Sequence, residues 1–211
     1  MRRAAKSVAI ACAVFATAAF LLVSAAITRA QPNRPEPERL TLDPSTTALL
    51  VLDLSARCND SAASCSRLTP VIKQYLPKFR ASHVFMVFTV SQPRFGLAEL
   101  WEGFDPLRAP DEVMILPDGT DKFVGGELHG LLQERGITSL IITGAGATGA
   151  VLYTASSAAR NYNYDIVIPL DGTIADNEYE YEYVIHQFTR IPAVADKFRF
   201  TTLDMLEFNT Q

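Results

Sequence analysis

Two charged residues stand at positions where a side chain could do chemistry. Asp53 closes the apolar segment 46–54, which the sequence predicts to be a buried central strand. A carboxylate at the end of such a strand can act as a general base, or it can accept hydrogen bonds from nearby N–H groups in a turn. Lys122 precedes the predicted helix 126–135. It can hold an anionic substrate, or it can be a solvated surface lysine.

A glycine-rich turn is the third candidate. Gly144, Gly146 and Gly149 follow a predicted strand and permit a tight turn, and Thr148 is placed to cap the predicted helix 149–161. Such a turn presents free N–H groups and the positive end of a helix dipole at the carboxyl edge of a sheet. Because open α/β sheets bind ligands at that edge, we expect Gly146, Thr148 and Gly149 to contact a small molecule.

The same glycines also match the spacing of a dinucleotide-binding fingerprint. Gly144, Gly146 and Gly149 have the required separation, and Asp171 ends the next predicted strand. However, the motif follows the third predicted strand, and few residues remain after Asp171 for further βα units. A dinucleotide site is therefore the weaker interpretation, and we expect no cofactor.

The elements that must position these residues alternate between strand and helix. Short apolar runs predict strands, and apolar stripes of helical period predict helices. The predicted strands are 46–54, 84–90, 140–143, 164–170 and 198–202, and the predicted helices are 68–80, 126–135, 149–161 and 177–188. This alternation indicates a mostly parallel, Rossmann-like α/β sheet of five to six strands with both faces covered.

The proline-rich segment 91–117 lies between the second and third predicted strands. It is long and irregular, and it contains Trp101, the single tryptophan. Because long loops in compact domains are usually functional, we expect it to be a lid or an interface, with Trp101 contacting the ligand.

Residues 1–30 have the composition of an export signal, with a basic head followed by an apolar run. The run is also long enough for an uncleaved membrane anchor. A polar, proline-rich linker, 31–45, follows. We therefore expect a periplasmic or secreted protein, or one held by an N-terminal anchor.

The net charge of the chain bears on the partners that it can bind. Removal of residues 1–30 takes away four of the 19 basic residues and none of the 23 acidic ones, leaving a net charge of −8. An acidic chain without a basic cluster is a poor candidate for nucleic-acid binding.

Cys58 and Cys65 predict a disulfide in an exported chain, with a free thiol as the alternative. The histidines His83, His129 and His186 lack ligand-like spacing, so we expect no metal.

Four segments together resemble the isochorismatase-like, or cysteine hydrolase, family. They are Leu50–Asp53, Asp121–Leu128, Ile137–Gly144 and Ala150–Ala155, and the resemblance covers residues 46–207. It implies a three-layer α/β/α sandwich that is usually oligomeric. It also implies hydrolysis of an amide, imide or vinyl-ether bond in a small molecule by an Asp, a Lys and a Cys.

Only one of these three residues has a direct match. Asp53 takes the place of the family's aspartate. The cysteine's position is Ala150, whose methyl group cannot attack a carbonyl, and the lysine's position is Pro117, with Lys122 nearby. Two hypotheses follow: a hydrolase in which Asp53 activates water, or an inactive member that binds a small molecule or a protein partner.

Overall fold

A parallel sheet organises the computed structural model of the chain, which describes residues 34–91, 99–104 and 112–209. Its strands, with those of a smaller sheet, are β1 (Leu40–Leu42), β2 (Thr47–Leu52), β3 (Phe85–Thr89), β4 (Glu112–Ile115), β5 (Ser139–Ala145), β6 (Asp165–Pro169), β7 (Thr173–Ile174), β8 (Phe198–Thr201) and β9 (Leu206–Phe208). In the larger sheet the order is β4-β3-β2-β5-β6-β8, and β7 pairs with the end of β5. β1 and β9 form a separate parallel pair.

Helices cover both faces of this sheet. The four α-helices of the described residues are α1 (Thr69–Ala81), α2 (Glu127–Glu134), α3 (Leu152–Asn161) and α4 (Glu178–Phe188). α1 and the β1–β9 pair pack on one face, and α2, α3 and α4 pack on the other. The predicted three-layer α/β/α architecture is confirmed.

β2 shows why the sequence forms a central strand. All six of its residues are buried. Ala48, Leu50 and Leu52 join the core under α2 and α3, whereas Leu49 and Val51 join the core under α1. Since side chains alternate between faces of a sheet, only a continuous apolar run fills both cores.

Some short strands differ from the expectation. The larger sheet has seven strands, because β4 lies within the segment predicted as irregular and β7 is only two residues long. The segment 31–45, predicted as a linker, contains β1. Leu40 and Leu42 of β1 are buried while Thr41 is exposed, which ties this part of the chain to the domain.

The start of α3 also differs. A single π-helical turn, Ala147–Val151, precedes the helix, and its cap is Gly146 in a left-handed conformation with φ of 71°. No side chain caps this turn, so the prediction that Thr148 is the cap is wrong. The turn leaves β5 too tightly for a residue with a Cβ to replace Gly146 without strain.

The predicted disulfide between Cys58 and Cys65 is present. Both cysteines are buried against α1 and the adjacent face of the sheet. None of the helices in the described ranges is long and apolar enough to cross a membrane. The predicted leader, 1–30, and most of the predicted lid lie outside those ranges.

Candidate active site

Asp53 and Lys122 form an ion pair at the carboxyl edge of the sheet. The Lys122 Nζ lies 2.7 Å from Asp53 Oδ2. The Lys122 side chain is fully buried, whereas the Asp53 side chain is 23% exposed. Lys122 is therefore not a solvated surface lysine, and the only solvent-accessible charge of the pair is the carboxylate.

Lys122 reaches Asp53 although it is displaced in sequence from the family position at Pro117. Its backbone N–H donates to Thr154 Oγ1 (3.2 Å), and Thr154 Oγ1 donates to the Thr120 carbonyl (3.3 Å). These bonds fasten the Lys122 segment to α3. They direct the Lys122 ammonium group towards Asp53, which follows the end of β2.

The position of Asp53 depends on the join between β2 and β5. Asp53 has a φ of 53°, and its N–H donates to the Thr89 carbonyl at 2.9 Å. Next to it, a Cβ added to Gly144 would lie 2.1 Å from the Leu52 carbonyl oxygen. Only glycine permits this approach, so the glycine turn brings β5 against the residue that carries Asp53.

Ser91 is a third member of the site that the sequence analysis did not identify. Its Oγ lies 2.9 Å from Asp53 Oδ2 and 2.5 Å from Lys122 Nζ, and its N–H donates to Asp53 Oδ1 at 2.9 Å. The available signal was its position directly after the predicted strand 84–90. That position places it at the same edge as Asp53.

The glycine turn carrying Ala150 lies beside this cluster. Ala150 is buried, and a Cβ added to Gly149 would lie 3.6 Å from Thr120 Cγ2. The first amides of a helix have no intrahelical acceptor. The turn lies next to the segment that supplies Lys122, but the N–H groups of Gly149 and Val151 already donate to the Gly146 carbonyl, and Ala150 adds no nucleophile.

Trp101 lies in a segment that is hydrogen-bonded to Leu54, the residue after Asp53. Its ring packs against Phe104 with centroids 4.9 Å apart, and Lys73 Nζ of α1 lies 5.7 Å from the ring centroid. Its backbone N–H donates to the Leu54 carbonyl. Trp101 therefore anchors residues 99–104 beside the site, and the described side-chain contacts do not join it to Asp53 or Lys122.

An open cavity of about 410 Å³ occupies the same edge of the sheet. It lies between the disulfide loop and the segment after β7, and it is lined by Arg57, Asp60, Ala62, Ala63, Ser64, Arg67 and Asp176. Asp53 and Lys122 do not line it. The cavity neighbours the charged cluster but is a different feature.

The remaining candidates have structural contacts. Asp171 Oδ1 accepts a hydrogen bond from the Leu203 N–H at 2.8 Å, so it holds the loop after β8. His129 Nδ1 lies 3.0 Å from the Tyr164 hydroxyl. Within the described ranges, no group of three potential His, Cys, Asp or Glu ligands could hold a metal.

Comparison with known proteins identifies the same architecture. The family model described as Isochorismatase domain matches residues 47–196. Similar solved structures include the Staphylococcus aureus nicotinamidase, with 24% identity, a TM-score of 0.64 and coverage of 75% of this chain and 99% of that chain.

Two further structures have comparable scores. An isochorismatase family protein from Desulfovibrio vulgaris has 23% identity, a TM-score of 0.65 and coverage of 75% and 95%. The Thermoplasma acidophilum N-carbamoylsarcosine amidase has 18% identity, a TM-score of 0.62 and coverage of 75% and 97%. No curated protein matches the chain.

Proposed function

Because the chain belongs to the isochorismatase family, we propose that it is a hydrolase that cleaves an amide, imide or vinyl-ether bond of a small molecule without the family's cysteine. The observation that carries this proposal is the pair of Asp53 and Lys122. A buried lysine that is fully hydrogen-bonded beside a partly exposed carboxylate is an arrangement suited to proton transfer.

In the proposed reaction a water molecule attacks the substrate, and Asp53 removes a proton from its oxygen. The Lys122 ammonium stabilises the negative charge that develops at this edge. We expect amides of the turn at Gly146–Ala150 to stabilise an oxyanion on the substrate, except the Gly149 N–H, which donates to the Gly146 carbonyl. The side chain of Ala150 supplies no nucleophile.

The test is hydrolysis of a small-molecule panel by the full chain. The panel begins with amides, since a nicotinamidase and an N-carbamoylsarcosine amidase share this fold. We expect turnover that survives a thiol-blocking reagent and falls by about 10²–10⁴-fold in Asp53→Asn, as for loss of a general base. Turnover that is equal in Asp53→Asn would contradict the proposal.

The second candidate function is binding without catalysis, and Ala150 favours it. In that case Ala150→Cys creates activity that the natural chain lacks, because the ion pair of Asp53 and Lys122 is intact. Calorimetric binding of a panel compound without its turnover would support this alternative.

We also propose that the protein is exported and that it forms oligomers. The disulfide between Cys58 and Cys65 is compatible with an oxidising compartment. Intact mass of the protein recovered from its producing cells tests export directly. Loss of the N-terminal residues up to Ala26 or Ala30 is the expected result for a cleaved signal.

A further inference from the structure

The contacts of Ser91 point to a catalytic role that goes beyond a water-activating aspartate. We infer that Ser91 is the nucleophile, supplying the function of the thiol that position 150 lacks. This inference rests on the proposed hydrolase function and narrows it to acyl substrates, that is, amides and imides.

Three groups form a closed triangle at this site. Ser91 Oγ lies 2.9 Å from Asp53 Oδ2 and 2.5 Å from Lys122 Nζ, and the ion pair at 2.7 Å is the third side. A nucleophile within hydrogen-bond reach of a base, with the base held by a third group, is the geometry that activates a hydroxyl. Ser91 is partly exposed, so a substrate can reach it.

The hydrogen bonds define which group is the base. Lys122 Nζ donates to Asp53 Oδ2, to Ser91 Oγ and to the Gly119 carbonyl at 3.1 Å. Three acceptors satisfy the three N–H donors of an ammonium group. An ammonium group bonded in this way has no lone pair to take the serine proton, so Asp53 is the base in the proposed step.

The serine hydroxyl has two acceptors in range. Asp53 Oδ2 lies at 2.9 Å and the Gly119 carbonyl at 3.2 Å. Only the carboxylate can keep the proton. In addition, the Ser91 N–H holds Asp53 Oδ1 at 2.9 Å, so the residue that supplies the nucleophile also fixes the orientation of the base.

The resulting step is balanced in atoms and charge. Ser91 Oγ forms a bond to the substrate carbonyl carbon while its proton moves to Asp53. The C–N bond then breaks, the leaving nitrogen takes that proton, and an acyl ester remains on Ser91. Water attacks the ester, gives a proton to Asp53 and releases a carboxylic acid, and Ser91 Oγ recovers the proton.

A purely structural serine would make some of the same contacts, so the test must report nucleophilicity. The probe is diisopropyl fluorophosphate, which forms an Oγ–P bond with an activated serine and releases fluoride. We expect one adduct on the full chain, mapped by peptide mass spectrometry to Ser91. Asp53→Asn should slow labelling by about 10²–10⁴-fold, the contribution of a general base.

Two serine variants complete the experiment. Ser91→Ala should take up no adduct, and Ser91→Cys should instead be alkylated by iodoacetamide at position 91, which peptide mapping distinguishes from alkylation of Cys12. Ser82→Ala is the matched control. Ser82 follows α1 at the opposite edge of the sheet, so its loss should leave labelling unchanged.

The outcomes separate this inference from the proposed function. Absence of an adduct at Ser91 overturns the inference. Panel turnover that persists in Ser91→Ala, with an unchanged thermal midpoint, also overturns it and leaves Asp53 acting on water. Labelling at Ser91 without turnover of any panel compound supports the nucleophile and counts against hydrolysis.

Discussion

Asp53 has a left-handed backbone conformation, with a φ of 53°. Asp tolerates this region better than most residues, because its short polar side chain bonds locally. Here the conformation lets the N–H reach the Thr89 carbonyl while both carboxylate oxygens face Ser91. Strained residues of this kind gather at functional sites, where surrounding contacts hold them.

The ion pair between Lys122 and Asp53 gives a prediction about stability. Lys122→Met leaves the carboxylate without its charged partner, and we expect a loss of about 2 kcal/mol in the free energy of unfolding. That is below the 3–5 kcal/mol of fully buried pairs because Asp53 is partly solvated. Urea unfolding of Lys122→Met and of the natural chain measures this loss in the free energy of unfolding.

The matched variant for that experiment is Asp53→Asn combined with Lys122→Met. The double variant should be more stable than the sum of the single losses predicts, by about 1 kcal/mol or more, because neither charge is then left unpaired. Additive losses would contradict a direct interaction between the two side chains.

Tyr181 gives a prediction about pH. Burial raises the pKa of its hydroxyl above the ordinary value of 10.0, and the Oη donates to the Leu170 carbonyl at 2.5 Å. Above pH 10 the unfolded chain loses a proton that the folded chain keeps. The free energy of unfolding therefore falls as the pH rises through this window.

Tyr181→Phe isolates that contribution. The variant should lose about 1 kcal/mol at neutral pH for the missing hydrogen bond, and its stability should fall less steeply above pH 10. Urea unfolding of both proteins at pH 8 and above checks this. Parallel curves across that range would show that Tyr181 does not contribute.

At this scale the sequence predicts part of the site. Asp53 is identified by its position at the end of an apolar strand, and the disulfide is identified by cysteine usage. The approach of Lys122 depends on how Thr154 of α3 holds its backbone. Ser91 has no motif of its own, because its role comes from the pairing of β2 with β3.

At the level of secondary structure, the pairing of β2 with β5 depends on one residue, Gly144. Gly144 has a φ of 133° and packs on the Leu52 backbone. We expect Gly144→Ala to cost about 3 kcal/mol or more, since the added Cβ meets backbone that cannot move aside.

The control for this variant is Gly130→Ala within α2. A Cβ there meets nothing within 4 Å, and alanine favours a helix, so stability should rise by about 0.5–1 kcal/mol. Thermal unfolding of both variants compares the two positions. If the Gly144→Ala protein is as stable as the natural chain, Gly144 of β5 does not pack closely on the backbone of β2.

The long elements were predictable, whereas of the described strands with four residues or fewer only β8 was predicted, as the strand 198–202. α1 and α4 have apolar stripes over several turns, and β2 is continuously apolar. β4 and β7 have four residues or fewer, too few for a period to show. These strands form because β3 and β5 offer them edges to pair with.

For the whole molecule, the pairing of β1 with β9 links distant parts of the chain. Leu40 of β1 is 1% exposed, so we expect Leu40→Ala to cost about 2–4 kcal/mol. Leu116→Ala is the control, because Leu116 is 41% exposed and should lose under about 1 kcal/mol. Urea unfolding that shows equal losses would mean that β1 is not part of the cooperative unit.

The β1–β9 pair also has a consequence for the order of folding. Leu40 pairs with Leu206, which is synthesised 166 residues later, so this contact has a high contact order and closes late. Until then the apolar side of β1 has no partner strand. A nascent chain in that state keeps its first strand available to chaperones, and completion of the fold waits for synthesis of the β9 segment.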